Sequence, residues 1–234
     1  MLLRLTSWRL SVSLPWVHNV FNGLSPPQIP MKLNRKTLLT VFVLILFSGS
    51  IIFSVVSLFM NQKQKSIFVV METNVGEIEL ELYNDVAPIT VENFVAYVED
   101  GFYDGLCFHR VIPEFMIQGG GFYPNGTFKT PNDPIQLESR NGQKNIRGAI
   151  AMARSSDPNS ATSQFFINTV DNDALNYPNP DGYGYAVFGR VSKGMDIVDG
   201  ISGAITDVKE TPYGEMSNWP VADIIIERVY LKNK

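Results

Sequence analysis

IFVVMETNVGEIELELY, residues 67–83, is the stretch that sets the fold class. Its first half is dense in β-branched and aromatic residues. Its second half alternates, Ile78, Leu80 and Leu82 against Glu77, Glu79 and Glu81. A period of two with one apolar face is the pattern of a half-buried strand. Two such runs, 67–73 and 76–83, separated only by Asn74 and Val75, read as a hairpin whose carboxylates face water.

Downstream, the period changes once and then returns. Pro88 starts a segment in which Val91, Phe94, Val95 and Val98 recur at helical spacing, with Thr90 as a capping residue and Gly101 as the stop. Short β runs follow at 107–112, 115–118, 148–153, 164–169, 185–191 and 221–231, punctuated by glycine and proline. GMDIVDGI, 194–201, reads as a second short helix. The expectation is a mainly β domain over 67–234: a closed antiparallel β-barrel of about eight strands, capped by two helices.

Upstream, residues 37–60, TLLTVFVLILFSGSIIFSVVSLFM, contain no ionisable side chain. A helix of that length rises about 36 Å, enough to cross a hydrocarbon core of roughly 30 Å. A buried core helix would carry a polar face. A cleaved signal peptide would have a shorter apolar region ending in small residues; this one ends Val55 to Met60. The reading is a single transmembrane anchor, with residues 1–36 as a cytoplasmic segment and 61–66 as a short linker. Arg4, Arg9, Lys32, Arg35 and Lys36 precede the span, and Lys63 and Lys65 follow it. That bias keeps the N-terminal flank in the cytoplasm and puts the domain across the membrane, on the periplasmic side of an inner membrane. MKLNRK before the apolar run makes Met31 an alternative start of translation.

Composition excludes several classes. With 45% hydrophobic and 18% charged residues, the chain can build a core. A net charge of -4 gives no basic excess for a nucleic-acid partner. Cys107 is the single cysteine, so no intramolecular disulfide forms, and the two histidines, His18 and His109, are too far apart in sequence for a clustered zinc motif. Gly119–Gly121 lacks the lysine of a phosphate loop. Asn125–Gly126–Thr127 fits a glycosylation triplet common by chance, and Asp171–Asn172–Asp173 lacks the later spacing of a calcium loop.

Three motifs carry chemistry: FHRVIPEFMIQGG at 108–120, GAIAMARSSDPNSATSQFFINT at 148–169 and YAVFGRV at 185–191. In order and spacing they resemble the cyclophilin family of peptidyl-prolyl cis–trans isomerases, over essentially all of 67–231. SQFFINTVDNDALNY followed by GYGYAVFG is most similar to the bacterial branch. The resemblance implies rotation about X–Pro bonds in proline-containing polypeptides, a reaction with a barrier of roughly 18–20 kcal/mol. No bond breaks, so no nucleophile, metal or cofactor is needed. What helps is an apolar pocket for the proline ring and a fixed donor for the twisted amide.

Taken alone, Arg110 is a surface arginine paired with Glu114 or Asp104. The resemblance makes it the catalytic donor to the prolyl nitrogen, a task for a rigid cationic fork. It likewise implies that Phe115, Met116, Phe166 and Leu175 form the proline pocket, with Phe165 turned into the core. Gln118 and Gln164 orient substrate and Arg110; Ala153 and the backbone of Arg154 line the peptide groove. His109 is structural, its ring bonded to nearby backbone. Three positions depart from many eukaryotic members. Ala174 stands for a tryptophan that helps hold cyclosporin, so weak cyclosporin binding is expected. Tyr185 stands for a histidine and still walls the pocket. Arg154 stands for a neutral residue and would bias substrates toward acidic neighbours. The competing reading is a proline-segment binding module or chaperone with little turnover.

Overall fold

The computed structural model describes residues 66–232. The expected anchor at 37–60, its flanks and all but the last linker residue lie outside the described residues, as does the alternative start at Met31. Among the described residues, no helix is long and apolar enough to cross a membrane.

Among the described residues, ten strands and two α-helices follow one another: β1 (Ile67–Thr73), β2 (Gly76–Leu82), α1 (Pro88–Glu99), β3 (Phe108–Ile112), β4 (Met116–Gly119), β5 (Ala149–Met152), β6 (Phe165–Asn168), β7 (Val187–Lys193), α2 (Met195–Ser202), β8 (Thr206–Thr211), β9 (Gly214–Pro220) and β10 (Ile226–Leu231). Eight strands form one antiparallel sheet in the order β10-β1-β2-β7-β5-β6-β4-β3. The sheet is a curled half-barrel, where a closed barrel was expected. Its edge strands β3 and β10 form no ladder with each other; the seam is carried by an isolated bridge between Cys107 and Ile225 and by backbone bonds from Phe108 to Ile224 and from Gly105 to Ile226.

The opening hairpin forms in the expected register, Thr73 opposite Gly76 and Val69 opposite Leu80. Ile78, Leu80 and Leu82 are fully buried. The opposite face is drier than the alternation implied. Glu79 is 5% exposed, roofed by Lys193, Lys232 and Ser192, and these hold its carboxyl below the usual range, Lys232 foremost.

α1 buries Val91, Phe94, Tyr97 and Val98 against the sheet, and Gly101 ends it with a φ of 61°. The cap is not the one expected. Thr90 lies inside the helix, and Glu138, 48 residues away, accepts from Thr90 N and Oγ1 at 2.8 and 2.7 Å and from Ile89 N at 3.2 Å. A carboxylate at the positive end of a helix satisfies otherwise orphaned amides. Inside the curl, Phe94, Tyr103, Phe108, Phe165 and Phe188 meet at tilted or edge-to-face angles.

A second, two-stranded sheet pairs β8 with β9, and β9 lies against β3. The last strand was expected to start at 221; Val221 and Ala222 form a bend instead, and Asp223 accepts from Trp219 and Lys209 before the bridge at Ile225.

Candidate functional site

Because side chains alternate across a strand, three neighbouring strands can place three functional side chains in a row. Here β4 lies between β3 and β6. Arg110 sits opposite Gln118, and Gln118 sits opposite Phe166. The intervening residues, Val111, Ile117 and Phe165, point the other way and are fully buried in the main core. β6 continues the row to Ala151 on β5. This outer face carries its own small apolar cluster of Met116, Ala149, Ala151, Phe166 and Val187, edged by Phe115, Ala153, Leu175 and Tyr185.

The row opens into a cleft of about 130 Å³, lined by Arg110, Phe115, Met116, Gln118, Ala153, Arg154, Phe166, Leu175 and Tyr185. Those are all the residues singled out in the sequence but one. Gln164 lines a neighbouring hollow of about 320 Å³ that shares Gln118, Ala153 and Arg154 and reaches Ser155, Ser160 and Thr162. A larger hollow of about 390 Å³ is built from loop residues 136–141 with Pro158 and Tyr183, and none of the expected site residues reaches it.

The polar side of the cleft is a relay. Gln164 Oε1 accepts from Gln118 Nε2 at 2.9 Å, and Gln118 Oε1 accepts from Arg110 Nη1 at 3.4 Å. Gly121 leaves room for it: a Cβ there would stand 2.8 Å from Gln164 Cγ and Cδ. Arg110 forms no ion pair among the described residues, so neither Glu114 nor Asp104 neutralises it. Asp104 is occupied with Val229 N at 3.0 Å. A guanidinium with most of its donors free, at the rim of an apolar hollow, can serve an incoming acceptor.

The apolar side is one wall of Phe115, Met116 and Phe166 and a second of Leu175 and Tyr185. Tyr185 stands edge-on to Phe166, centroids 5.6 Å apart. Its N–H donates to Leu175 O at 3.0 Å, which ties the two residues of that wall together. Ala174 is exposed on the 3-10 turn beside Leu175 and does not line the cleft.

Two supports were not singled out in the sequence. A chain of asparagines holds the walls from behind: Asn172 Nδ2 donates to Phe115 O at 2.8 Å and to Asn168 Oδ1 at 2.7 Å, Asn168 Nδ2 donates to Asn145 Oδ1 at 3.2 Å, and Asn145 Nδ2 donates to Leu175 O at 3.2 Å. Asn145, Asn168 and Asn172 are nearly fully buried, a position polar amides take only when partnered. The second is Asp181, whose carboxylate meets Arg154. Its position among glycines and prolines gives no periodic signal.

Arg154 lines the cleft, but its charge is not free for an acidic neighbour of a substrate, contrary to expectation. Its side chain is 1% exposed and already paired with Asp181. His109 points away from the cleft, buried against Phe122 and Trp219. Burial pushes its imidazole down to about 4. The Cys107 backbone and the Gln164 side chain partly offset that burial, while Nδ1 has no hydrogen-bond partner. Cys107 is buried and its thiol is pushed up to about 12, mainly by desolvation, so it is no nucleophile.

Comparison with known proteins gives a consistent result. The family described as cyclophilin type peptidyl-prolyl cis-trans isomerase/CLD matches residues 68–231. A peptidyl-prolyl cis-trans isomerase of Acinetobacter baylyi is 53% identical over 163 residues, covering 70% of this chain and 84% of that protein. Peptidyl-prolyl cis-trans isomerase B of Escherichia coli is 49% identical over 163 residues, covering 69% of this chain and 97% of that protein. Among solved structures, a Cryptosporidium parvum cyclophilin type isomerase, crystallised in the presence of the dipeptide Ala-Pro, superposes with a TM-score of 0.61 at 29% identity, covering 71% of this chain and 99% of that one.

Proposed function

The chain belongs to the family of cyclophilin-type peptidyl-prolyl cis–trans isomerases, and from that premise we propose how its cleft performs the reaction. The activity is peptidyl-prolyl cis–trans isomerisation. The proline ring enters between Phe115, Met116 and Phe166 on one side and Leu175 and Tyr185 on the other. Burial there removes water from the amide, and a twisted amide suffers less from that loss than the planar, more dipolar one. Arg110 donates to the prolyl nitrogen as rotation gives it lone-pair character. Such a donor stabilises the transition state more than the ground state, which is what raises turnover. Gln164, through Gln118, keeps the fork of Arg110 aimed, and Ala153 with the backbone of Arg154 borders the groove that takes the flanking peptide.

The observation that carries this reading is the row Arg110–Gln118–Phe166 across three paired strands, with the cation unpaired at one end and the apolar hollow at the other. The test is the cis–trans exchange rate of a short Ala-Pro peptide with the full chain. The wild type accelerates exchange, and Arg110→Ala loses about a hundred- to a thousandfold of that acceleration, the usual cost of one transition-state donor, with its unfolding midpoint unchanged. A folded Arg110→Ala at wild-type rate overturns the role.

Two further parts of the proposal concern partners and place. Cyclosporin binds weakly, because Ala174 provides no indole beside the cleft; a nanomolar dissociation constant by calorimetry refutes this. Residues 37–60 hold the domain at the inner membrane, facing the periplasm, where its substrates are folding polypeptides. A reporter fused after Lys234 that is active only in the cytoplasm reverses that orientation.

A further inference from the structure

The wall that carries Tyr185 is not held by any ladder. Residues 176–183 form turns and bends after the 3-10 turn, and 184–186 have no regular structure before β7. Gly184 sits in this stretch at a φ of 69°, and a Cβ there would lie 2.5 Å from Tyr177 N. A segment with so little regular backbone pairing needs another fixture to present one ring to the cleft.

Arg154 supplies it from across the groove. Nε and Nη2 donate to Gly184 O at 3.0 and 2.9 Å, and Nη1 donates to Ser155 O at 2.9 Å. Nη2 also meets both carboxylate oxygens of Asp181, at 2.8 and 2.7 Å. The guanidinium lies over the ring of Tyr185, its Cζ 4.6 Å from the centroid. Asp181 Oδ1 in turn accepts from Tyr183 N at 3.1 Å, and Tyr183 O accepts from Ser139 Oγ. All three nitrogens of the fork are therefore engaged with the loop that bears Tyr185 or with its own strand end.

The charges are arranged unequally. The Arg154 side chain is 1% exposed and that of Asp181 is 37% exposed. A buried guanidinium is tolerated only with a counter-charge and filled donors. Arg154 in turn holds the Asp181 carboxyl below the usual range. Since Arg154 also borders both hollows of the groove, Asp181 cancels a positive charge that a bound peptide would otherwise meet.

We propose that Arg154 and Asp181 form a latch that sets the position of Tyr185 and so the width of the proline cleft, and that Asp181 masks the cation from the peptide groove. The inference rests on the reading of the cleft as the peptide site. Both are positioning residues: Arg154 acts through Tyr185, and Asp181 acts through Arg154. The latch needs arginine, because a lysine ammonium reaches Asp181 but cannot hold Gly184 O and the Tyr185 face at once. It also fixes a preference: the protein is indifferent to acidic residues near the proline while Asp181 is in place.

The test uses the full chain and two Ala-Pro peptides that differ only in Glu or Gln upstream of the X–Pro bond. Turnover, KM and dissociation constants are measured for the wild type, Asp181→Asn, Arg154→Lys and Arg154→Ala. The wild type treats the two peptides alike within about twofold, as expected for a cancelled charge. In Asp181→Asn the KM of the Gln peptide rises about threefold to tenfold with kcat nearly kept, the signature of lost binding rather than lost chemistry. The same substitution shifts the Glu-to-Gln preference about fivefold toward Glu, because the unmasked guanidinium now attracts it. Arg154→Lys shows the KM rise without regaining the wild-type value. A Gln-peptide KM unchanged in Asp181→Asn, or a Glu-to-Gln preference that does not move, overturns the latch. Should Arg154→Ala fail to fold, Asp181→Asn, at an exposed position, decides alone. A wild type that binds both peptides without turnover instead sinks the isomerase reading, and the dissociation constants of the variants still decide the latch.

Discussion

Phe165 and Phe166 are consecutive on β6, with the same side chain and almost the same exposure, 0% and 4%. Phe165 is enclosed on all sides: Phe94, Tyr103 and Phe108 stand edge-on to it at 5.7, 5.5 and 6.1 Å. Phe166 has one aromatic neighbour, Tyr185, and otherwise faces the cleft. The same alternation recurs at Val111 and Arg110 on β3 and at Ile117 and Gln118 on β4, the first of each pair inside and the second outside. The binding site is therefore a second, incomplete core on the back of the first. Its missing wall is the ligand, and the strands that stiffen the interior also fix the site.

The comparison is broken or sharpened most strongly at β6 itself. Phe165→Ala costs about 3–5 kcal/mol of stability, as for a fully enclosed aromatic. Phe166→Ala costs well under half of that and instead weakens peptide binding about tenfold, since the apolar area it loses is area the proline would have covered. Denaturant unfolding and exchange kinetics on both variants check this; equal stability losses would erase the distinction between the two faces.

On β3 the buried neighbour of Arg110, His109, predicts a pH dependence of stability. His109 titrates at about 4 when folded and near 6.5 when unfolded. Between those values the unfolded state binds the extra proton, so stability falls as pH is lowered from about 6.5 and stops falling near 4. The full loss is roughly 3 kcal/mol. Unfolding curves across this window should show the slope, and His109→Gln should flatten it.

The smallest effect is expected on β4. Gln118→Ala lowers kcat about tenfold, within the range for an aiming group, with stability moved by less than about 0.5 kcal/mol, as for a side chain outside the core. A stability loss larger than the catalytic one would move Gln118 to the interior's side of the comparison.

Much of this was legible from residue pattern. The first hairpin and both helices lie within a residue or two of expectation, because a period of two or 3.6 survives wherever one face is buried. The two-stranded sheet of β8 and β9 was not foreseen. Thr206–Thr211 is TDVKET, with no buried residue on either face, so no apolar alternation marks it. It is held by its turn, Thr211 Oγ1 donating to Gly214 O at 2.7 Å, and by Trp219 at its far end. The cap of α1 was misread for a related reason: Thr90 has a capping side chain, but the acceptor that serves the helix end comes from Glu138 in a distant loop. At the site, the residues singled out line one cleft except Gln164, which lines the hollow beside it, while the asparagine chain and Asp181 left no trace in the pattern, since a hydrogen-bond network among loops has no period.

The sheet order has one more consequence. β1 is the first strand and pairs on one edge with β10, the last, Val69 opposite Leu231. The seam beside β3 also waits for residues 224–226. A ribosome making this domain therefore delivers its keystone last. Until residue 231 has been made and released, β1 keeps an unpaired edge and the core lies open. Such long-range pairing delays folding until β10 is available to pair. Up to that point the nascent domain stays in a form that a chaperone can hold.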